Sequence, residues 1–167
     1  METPIDPDVL FMREALKEAL KAYEQDEVPV GAVVVANGRI LARAHNLTER
    51  LIDVTAHAEM QALTAAANYL GAKYLNECRL YVTLEPCAPG EAKRTPPCAP
   101  RLIEAGVARV VFGVRDLNPN VKGAGLRLLR TAGVEVVEGA SPAEAHRLTQ
   151  HFNAAMRHGR PFITLKA

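Results

Sequence analysis

The chain opens with apolar and polar residues arranged at helical spacing. In DPDVLFMREALKEALKAY, residues 6–23, apolar side chains recur every three or four positions after an aspartate, a pattern that predicts an amphipathic helix from about Asp8 to Glu24. Two short runs rich in valine, isoleucine and alanine follow on either side of Asn37-Gly38. Because Asn-Gly is the strongest short signal for a tight turn between strands, residues 28–46 are predicted to form a β-hairpin.

The pattern then returns to a helical period and changes to a strand. TAHAEMQALTAAANYLG, residues 55–71, predicts a helix with Thr55 as its N-cap and Gly71 just past its end. RLYVTL, residues 79–84, is apolar enough to be a strand that is buried on both faces. The stretch that follows, EPCAPGEAKRTPPC, holds two cysteines and four prolines and has no period of its own.

Beyond that stretch, helices and strands alternate to the end of the chain. The pattern predicts a helix, a strand, a helix, a strand and a closing helix over residues 98–106, 108–114, 125–133, 134–139 and 141–158. Alternating strands and helices favour right-handed crossovers with helices on both faces of a sheet, and the hairpin adds antiparallel pairing. We therefore predict an α/β fold: a three-layer α/β/α sandwich with a mixed five-stranded sheet, in one domain spanning residues 1–167.

Composition fits this class and excludes several others. The 167 residues are 49% hydrophobic and 23% charged, as is usual for soluble globular proteins. The sequence contains no secretory signal pattern and no apolar run of membrane-spanning length, so no membrane partner is expected. Three cysteines, an odd number, do not indicate a disulfide framework, and we expect a cytoplasmic protein in a reducing environment.

Charge is divided unevenly along the chain. Residues 1–90 carry 8 Lys/Arg against 13 Asp/Glu, and residues 91–167 carry 12 against 6. The net charges of the two parts are therefore −5 and +6. Three explanations stay open: chance surface composition, a phosphate-binding role for the second part, and two parts of different origin joined in one chain.

Four residues are candidates for a metal-dependent active site: His57, Glu59, Cys87 and Cys98. His57 and Glu59 fall at the start of a predicted helix, where side chains two apart can both bend towards a point beyond the helix end. Cys87 follows a strand and Cys98 opens the next helix. Strand ends and helix N-termini gather at one edge of an open α/β sheet, so the four side chains are expected to converge.

One imidazole and two thiolates favour zinc with its fourth position open, the arrangement of a catalytic site. A bound zinc ion lowers the pKa of a water molecule towards neutrality, and Glu59, not a ligand, would carry the proton from that water to a leaving group. The alternative is that His57 is only a helix-cap or core residue and that Cys87 and Cys98 are thiols in a surface loop. Cys78, next to a strand, is expected to be a packing residue.

Taken together, the residues almost match the H-x-E…P-C-x-x-C signature of zinc-dependent deaminases. The second spacing departs from it, because ten residues separate Cys87 from Cys98. "LYVTLEPC" followed by "RTPPC" resembles the deaminase of riboflavin biosynthesis, which acts on a diamino-hydroxy-phosphoribosylamino-pyrimidine. This resemblance implies that Cys98 is the second thiolate ligand.

The first part of the chain resembles a different family. "VPVGAVVV", "ARAHNLTER" and "DVTAHAEMQALTAAANYLGAKYLNECRLYVTLEPC" are similar to bacterial tRNA adenosine deaminases. The chain is thus identified as a member of the cytidine deaminase-like superfamily of zinc deaminases, with residues 1–87 similar to one family and residues 85–167 to the other. A chimera with its junction near residue 87 is one interpretation.

The resemblance also implies substrate contacts. Asn46 would hydrogen-bond the base or sugar and Val28 would line the pocket, while Lys93 and Arg94 would reach a ribose phosphate. The alternatives are a turn role for Asn46 and a solvated loop for the two cations.

We favour a small phosphoribosyl aminopyrimidine as substrate over a tRNA adenosine or a free nucleobase. The chain has no tryptophan and only 5% aromatic residues, which offers little stacking surface for splayed RNA bases. A folded zinc-binding scaffold without turnover is the remaining alternative. Both related families imply a homo-oligomer.

Overall fold

A computed structural model of the protein describes residues 5–90, 96–117 and 123–158. Ten elements lie within these ranges: α1 (Pro7–Glu24), β1 (Gly31–Ala36), β2 (Arg39–His45), α2 (Ala58–Leu70), β3 (Arg79–Leu84), α3 (Cys98–Glu104), β4 (Arg109–Val114), α4 (Ala124–Thr131), β5 (Glu135–Glu138) and α5 (Pro142–His158). Every predicted helix and strand is present, with ends that differ from the predictions by a few residues. Of the helices in the described ranges, none combines the length and the apolar character needed to cross a bilayer.

The sheet is mixed, as predicted, with the strand order β2-β1-β3-β4-β5. β1 pairs with β2 and β3 in antiparallel fashion, whereas β3, β4 and β5 run parallel to one another. Asn37 and Gly38 close the hairpin with φ angles of 49° and 71°, the left-handed geometry that matches the twist of paired strands. The parallel strands bring the ends of β3 and β4 to the same edge of the sheet, where the candidate residues lie.

Helices cover both faces of the sheet, which confirms the predicted three layers. On one face, α2, α3 and α4 pack against Val34, Val82 and Phe112 of the central strands. On the other face, α1 and α5 pack against Val33, Tyr81 and Val111. Because neighbouring strand residues point to opposite faces, β1, β3 and β4 are buried on both sides and are apolar along most of their length.

The predicted start of α2 is wrong by two residues. The helix begins at Ala58, and His57, not Thr55, occupies the N-cap position with an extended backbone. Thr55 instead donates its backbone N–H and its hydroxyl to Oδ1 of Asp53, at 2.8 and 2.7 Å, which closes a separate turn before the helix. At the other end the prediction is confirmed, since Gly71 caps α2 with a φ of 61°.

Candidate metal and catalytic site

His57, Cys87 and Cys98 meet at the edge of the sheet where the sequence predicted they would. Nδ1 of His57 lies 3.3 Å from Sγ of Cys98 and 4.0 Å from Sγ of Cys87. The three ligand atoms all lie within 4.8 Å of one another. Both cysteines are buried, and His57 is partly exposed. Among the described residues no other group of three such side chains comes as close together.

Three different elements bring these side chains together. Cys87 comes three residues after the end of β3, and Cys98 is the first residue of α3. His57 stands directly before α2, at its N-cap position. Since α2 and α3 lie on the same face of the sheet, their N-terminal ends face the strand end that carries Cys87.

Backbone hydrogen bonds explain how two cysteines ten residues apart can act as one pair. The backbone N–H of Cys98 donates to Sγ of Cys87 at 3.2 Å, and the N–H of Ala99 donates to the carbonyl oxygen of Cys87 at 3.0 Å. The first turn of α3 is therefore fastened directly onto Cys87. A tight P-C-x-x-C turn is not needed, because these hydrogen bonds already hold the start of α3 against Cys87.

The donor set fits zinc. A tetrahedral ion with about 2.3 Å bonds to sulfur and about 2.0 Å to nitrogen needs ligand atoms roughly 3.5–3.8 Å apart, and the observed separations bracket that range. Two cysteine sulfurs and one imidazole leave a fourth position for water or substrate, as in catalytic zinc sites.

Glu59 lies in the first turn of α2, two residues after His57, and is 4% exposed. Burial and the adjacent Cys87 raise the pKa of its carboxyl, and His57 opposes that rise. The carboxylate thus lies within electrostatic range of the cluster without belonging to the three ligand atoms. The predicted convergence of His57 and Glu59 at a helix end holds, with His57 at the cap and Glu59 just inside the helix.

The segment from Asn46 to His57 is a loop whose two ends are tied together. The N–H of Leu47 donates to the carbonyl oxygen of Ala56 at 3.0 Å. Asn46 and His57 are the residues directly before and directly after this bonded pair in the chain. Asn46 is 6% exposed, and its N–H donates to the carbonyl oxygen of Val30 at 3.0 Å.

Half-buried Val28 accepts a hydrogen bond from Val30 N–H at 2.7 Å, which places it near the same loop end. Two of the four predicted substrate residues, Asn46 and Val28, therefore approach the base of this loop. The other two, Lys93 and Arg94, lie outside the described residues.

Gln61 holds the loop before His57 in place, although the sequence pattern did not indicate this role. Its Nε2 donates to the carbonyl oxygens of His45 and Ala56, at 2.7 and 3.0 Å, and so fastens both ends of the loop to α2. The available signal was its position four residues after His57, because residues four apart lie on the same face of a helix.

Glu85 is a buried carboxyl group in the segment that leads into Cys87. It is 2% exposed, and neither carboxylate oxygen makes a hydrogen bond of ordinary geometry within the described residues. Burial raises the pKa of this carboxyl, and the nearby backbone N–H of Gly123 partly opposes the rise. Gly125, in the first turn of α4, lies against the same segment, because a Cβ there would stand 2.0 Å from the carbonyl oxygen of Pro86.

We expect Gly125→Ala to destabilise the protein by about 1–3 kcal/mol and to weaken zinc binding, because the added methyl group pushes Pro86 and thus Cys87 out of place. Urea unfolding and zinc competition with a chromogenic chelator measure the two effects. Gly90→Ala is the control, since a Cβ at Gly90 meets nothing within 4 Å. Zinc affinity equal in the two variants would contradict a link between α4 and the ligand segment.

Comparisons with known proteins agree with this chemistry. The model of the cytidine and deoxycytidylate deaminase zinc-binding region matches residues 6–114. The tRNA-specific adenosine deaminase of Bacillus subtilis is 42% identical over 154 residues, which cover 90% of this chain and 91% of that enzyme. The riboflavin biosynthesis protein RibD of Haemophilus influenzae is 41% identical over 162 residues, covering 95% of this chain and 40% of that protein.

A solved structure gives the same picture. The diaminohydroxyphosphoribosylaminopyrimidine deaminase/5-amino-6-(5-phosphoribosylamino)uracil reductase of Thermotoga maritima superposes with a TM-score of 0.76 and 35% identity, over 93% of this chain and 43% of that one. The alignments with the Bacillus and Haemophilus proteins are both too long to break off at Cys87. The family model and these relatives confirm the superfamily assignment. The junction near residue 87 stays a prediction.

Proposed function

Because this chain belongs to the cytidine and deoxycytidylate deaminase zinc-binding family and is a zinc-dependent hydrolytic deaminase, we propose that its substrate is the diaminohydroxyphosphoribosylaminopyrimidine of riboflavin biosynthesis. The position of Cys98 carries this proposal. It approaches His57 and Cys87 although ten residues separate the two cysteines. That long spacing, ending in RTPPC, is the feature by which the chain resembles the riboflavin enzymes.

His57, Cys87 and Cys98 would hold the zinc ion, and zinc, when bound, supplies the polarisation that makes a water molecule nucleophilic near neutral pH. Glu59 takes the proton of that water. The water oxygen would bond to the ring carbon, and the bond from that carbon to its exocyclic nitrogen would then break. Glu59 would return the proton to the departing amine, which leaves as ammonia, while the oxygen and the second hydrogen of the water stay with the ring as a hydroxyl group or its carbonyl tautomer. The burial of Glu59 keeps bulk water from competing for that proton.

Residues around this centre would orient the substrate. In the proposal Asn46 and Val28 contact the base, because both approach the loop that ends at His57. Lys93 and Arg94 are assigned to the ribose phosphate by resemblance, as cations in the segment between the two cysteines. A single phosphate held by a few cations suits a small nucleotide-like molecule better than an extended RNA.

An adenosine in tRNA is the second candidate. It is favoured by the similarity to the Bacillus tRNA-specific adenosine deaminase, which extends over nine-tenths of both chains. Asn46 also lies in the part of the sequence that resembles those enzymes. The two candidates differ in what must be recognised beyond the base: one ribose phosphate, or a folded anticodon loop.

Ammonia release from the zinc-loaded protein distinguishes them. The protein is offered, in parallel, the riboflavin-pathway aminopyrimidine phosphate, an anticodon stem-loop with adenosine at the reactive position, and free adenine, guanine and cytosine. We expect release from the aminopyrimidine at least about tenfold faster than from any other compound. Faster release from the stem-loop would transfer the assignment to tRNA, and silence across the panel with zinc bound would indicate a scaffold without turnover.

A further inference from the structure

Glu27 is a buried carboxylate that lies directly before the segment carrying Val28. It is 5% exposed, and within the described residues the hydrogen bonds of its carboxylate oxygens go to the loop between β2 and α2. Its Oε1 accepts from the backbone N–H groups of Glu49 and Arg50, at 3.0 and 2.8 Å. Its Oε2 accepts from the hydroxyl of Thr48 at 3.2 Å. Burying a charged group is costly in free energy unless it is well paired, so we ask what the burial of the Glu27 carboxylate achieves.

The carboxylate sets the direction of a short hydrogen-bond chain. An ionised carboxylate can only accept, so the single proton of the Thr48 hydroxyl is committed to Glu27. The Thr48 oxygen must then act as acceptor towards its other neighbour, the amide of Asn46, whose Nδ2 lies 3.3 Å away. The amide nitrogen of Asn46 therefore points inward to Thr48.

This direction leaves the amide oxygen of Asn46 for another partner. Within the described residues, that Oδ1 accepts no hydrogen bond, while the backbone of Asn46 is held by Val30. The two ends of an asparagine amide are nearly alike in shape, so only its neighbours decide which end faces a ligand. Here the orientation of the Asn46 amide is set by Glu27, which is two hydrogen bonds away.

We propose that Glu27 is a positioning residue that acts through Thr48 to turn the oxygen of the Asn46 amide towards the substrate. Asn46 then selects a hydrogen-bond donor, an N–H or O–H group, and disfavours an acceptor at the same position. The inference rests on the proposed function only in assuming that Asn46 contacts the substrate. Glu27 itself touches neither the substrate nor the metal ligands in this account.

Glu27→Gln tests the polarity of the chain while keeping its shape. The glutamine oxygen still accepts from Glu49 and Arg50, but its amide nitrogen now donates to Thr48. The hydroxyl hydrogen of Thr48 is then free to rotate towards Asn46. The side-chain amide of Asn46 can therefore present either its nitrogen or its oxygen to Thr48. Thr48→Val removes the hydroxyl with nearly the same volume, whereas Thr48→Ser retains it.

We expect Glu27→Gln and Thr48→Val to raise KM about tenfold for the substrate identified above, since one oriented hydrogen bond is lost. The expected change in kcat is less than about threefold, and zinc content and melting temperature should stay near those of the parent. Thr48→Ser and the matched control Glu49→Gln, at an exposed carboxylate on the same loop, should leave KM unchanged.

A second readout does not depend on turnover. In 15N-labelled protein the side-chain NH2 signals of Asn46, identified by their loss in Asn46→Ala, should exchange slowly and should move in Glu27→Gln and Thr48→Val but not in Glu49→Gln. Signals that stay in place in both variants would overturn the relay. A tenfold KM effect of Asn46→Ala without any effect of Glu27→Gln would overturn it too, yet leave Asn46 as a substrate contact. No KM effect of Asn46→Ala would remove that contact and the proposal with it.

Discussion

Replacing Glu59 by glutamine should lower the rate of ammonia release by at least about a thousandfold while the protein still folds and binds zinc. Proton transfer by a positioned carboxylate contributes roughly a hundredfold to ten-thousandfold, and here one group serves both the incoming water and the departing amine. Glutamine keeps the size of the side chain in a position that is 4% exposed, so packing is retained. It cannot accept a proton.

The measurement is a single-turnover ammonia assay alongside zinc content and thermal unfolding of the same preparation. Glu77→Gln, at an exposed site near the start of β3, is the control for the chemical change itself. Full activity in Glu59→Gln would mean that another group moves the proton. Loss of zinc together with activity would mean instead that Glu59 takes part in holding the metal.

The sequence pattern was sufficient for the elements that local rules decide. The amphipathic period of α1, the Asn37-Gly38 turn and the glycine cap of α2 each depend on residues that are neighbours in the chain. The convergence of His57, Cys87 and Cys98 was also predictable, since strand ends and helix N-termini share one edge of such a sheet.

What could not be predicted depends on contacts between distant residues or on competition among close ones. The pattern predicts Thr55 as the helix cap, but in the structure its N–H and hydroxyl both donate to Asp53, in a turn that ends before the helix begins. Glu85 and Gly125 become neighbours only when α4 packs on the segment after β3, across forty residues of sequence. Glu27 likewise meets Thr48 only because the segment after α1 lies against the loop after β2.

The spacing of the two cysteines has one part that the sequence predicts and one part that only the structure explains. Ten intervening residues depart from the tight deaminase signature, and it is the resemblance to the riboflavin enzymes that implied that Cys98 is the second thiolate ligand. In the structure the link is a physical one, because the first N–H groups of α3 donate to the sulfur and carbonyl oxygen of Cys87. These hydrogen bonds between α3 and the segment after β3 bring the two cysteines together across the ten residues between them.

Cys98→Ser should therefore lose zinc as severely as Cys87→Ser, with affinity lower by several orders of magnitude in both. Each change removes one of the three protein ligands, and a serine hydroxyl is a much poorer zinc ligand than a thiolate. If the ten-residue segment were a surface loop with an incidental thiol, only the Cys87 variant would be affected. Cys98 is fully buried with its sulfur 3.3 Å from His57, which argues for equal effects.

Zinc stoichiometry by elemental analysis after dialysis, followed by competition with a chromogenic chelator, measures the loss. Cys78→Ser is the matched control, because Cys78 is as buried as Cys98 but packs in the apolar core beside β3. It should retain a full complement of zinc and lose only some thermal stability. Full zinc occupancy in Cys98→Ser, with Cys87→Ser depleted, would refute the three-ligand site and with it the observation on which the riboflavin-pathway assignment depends.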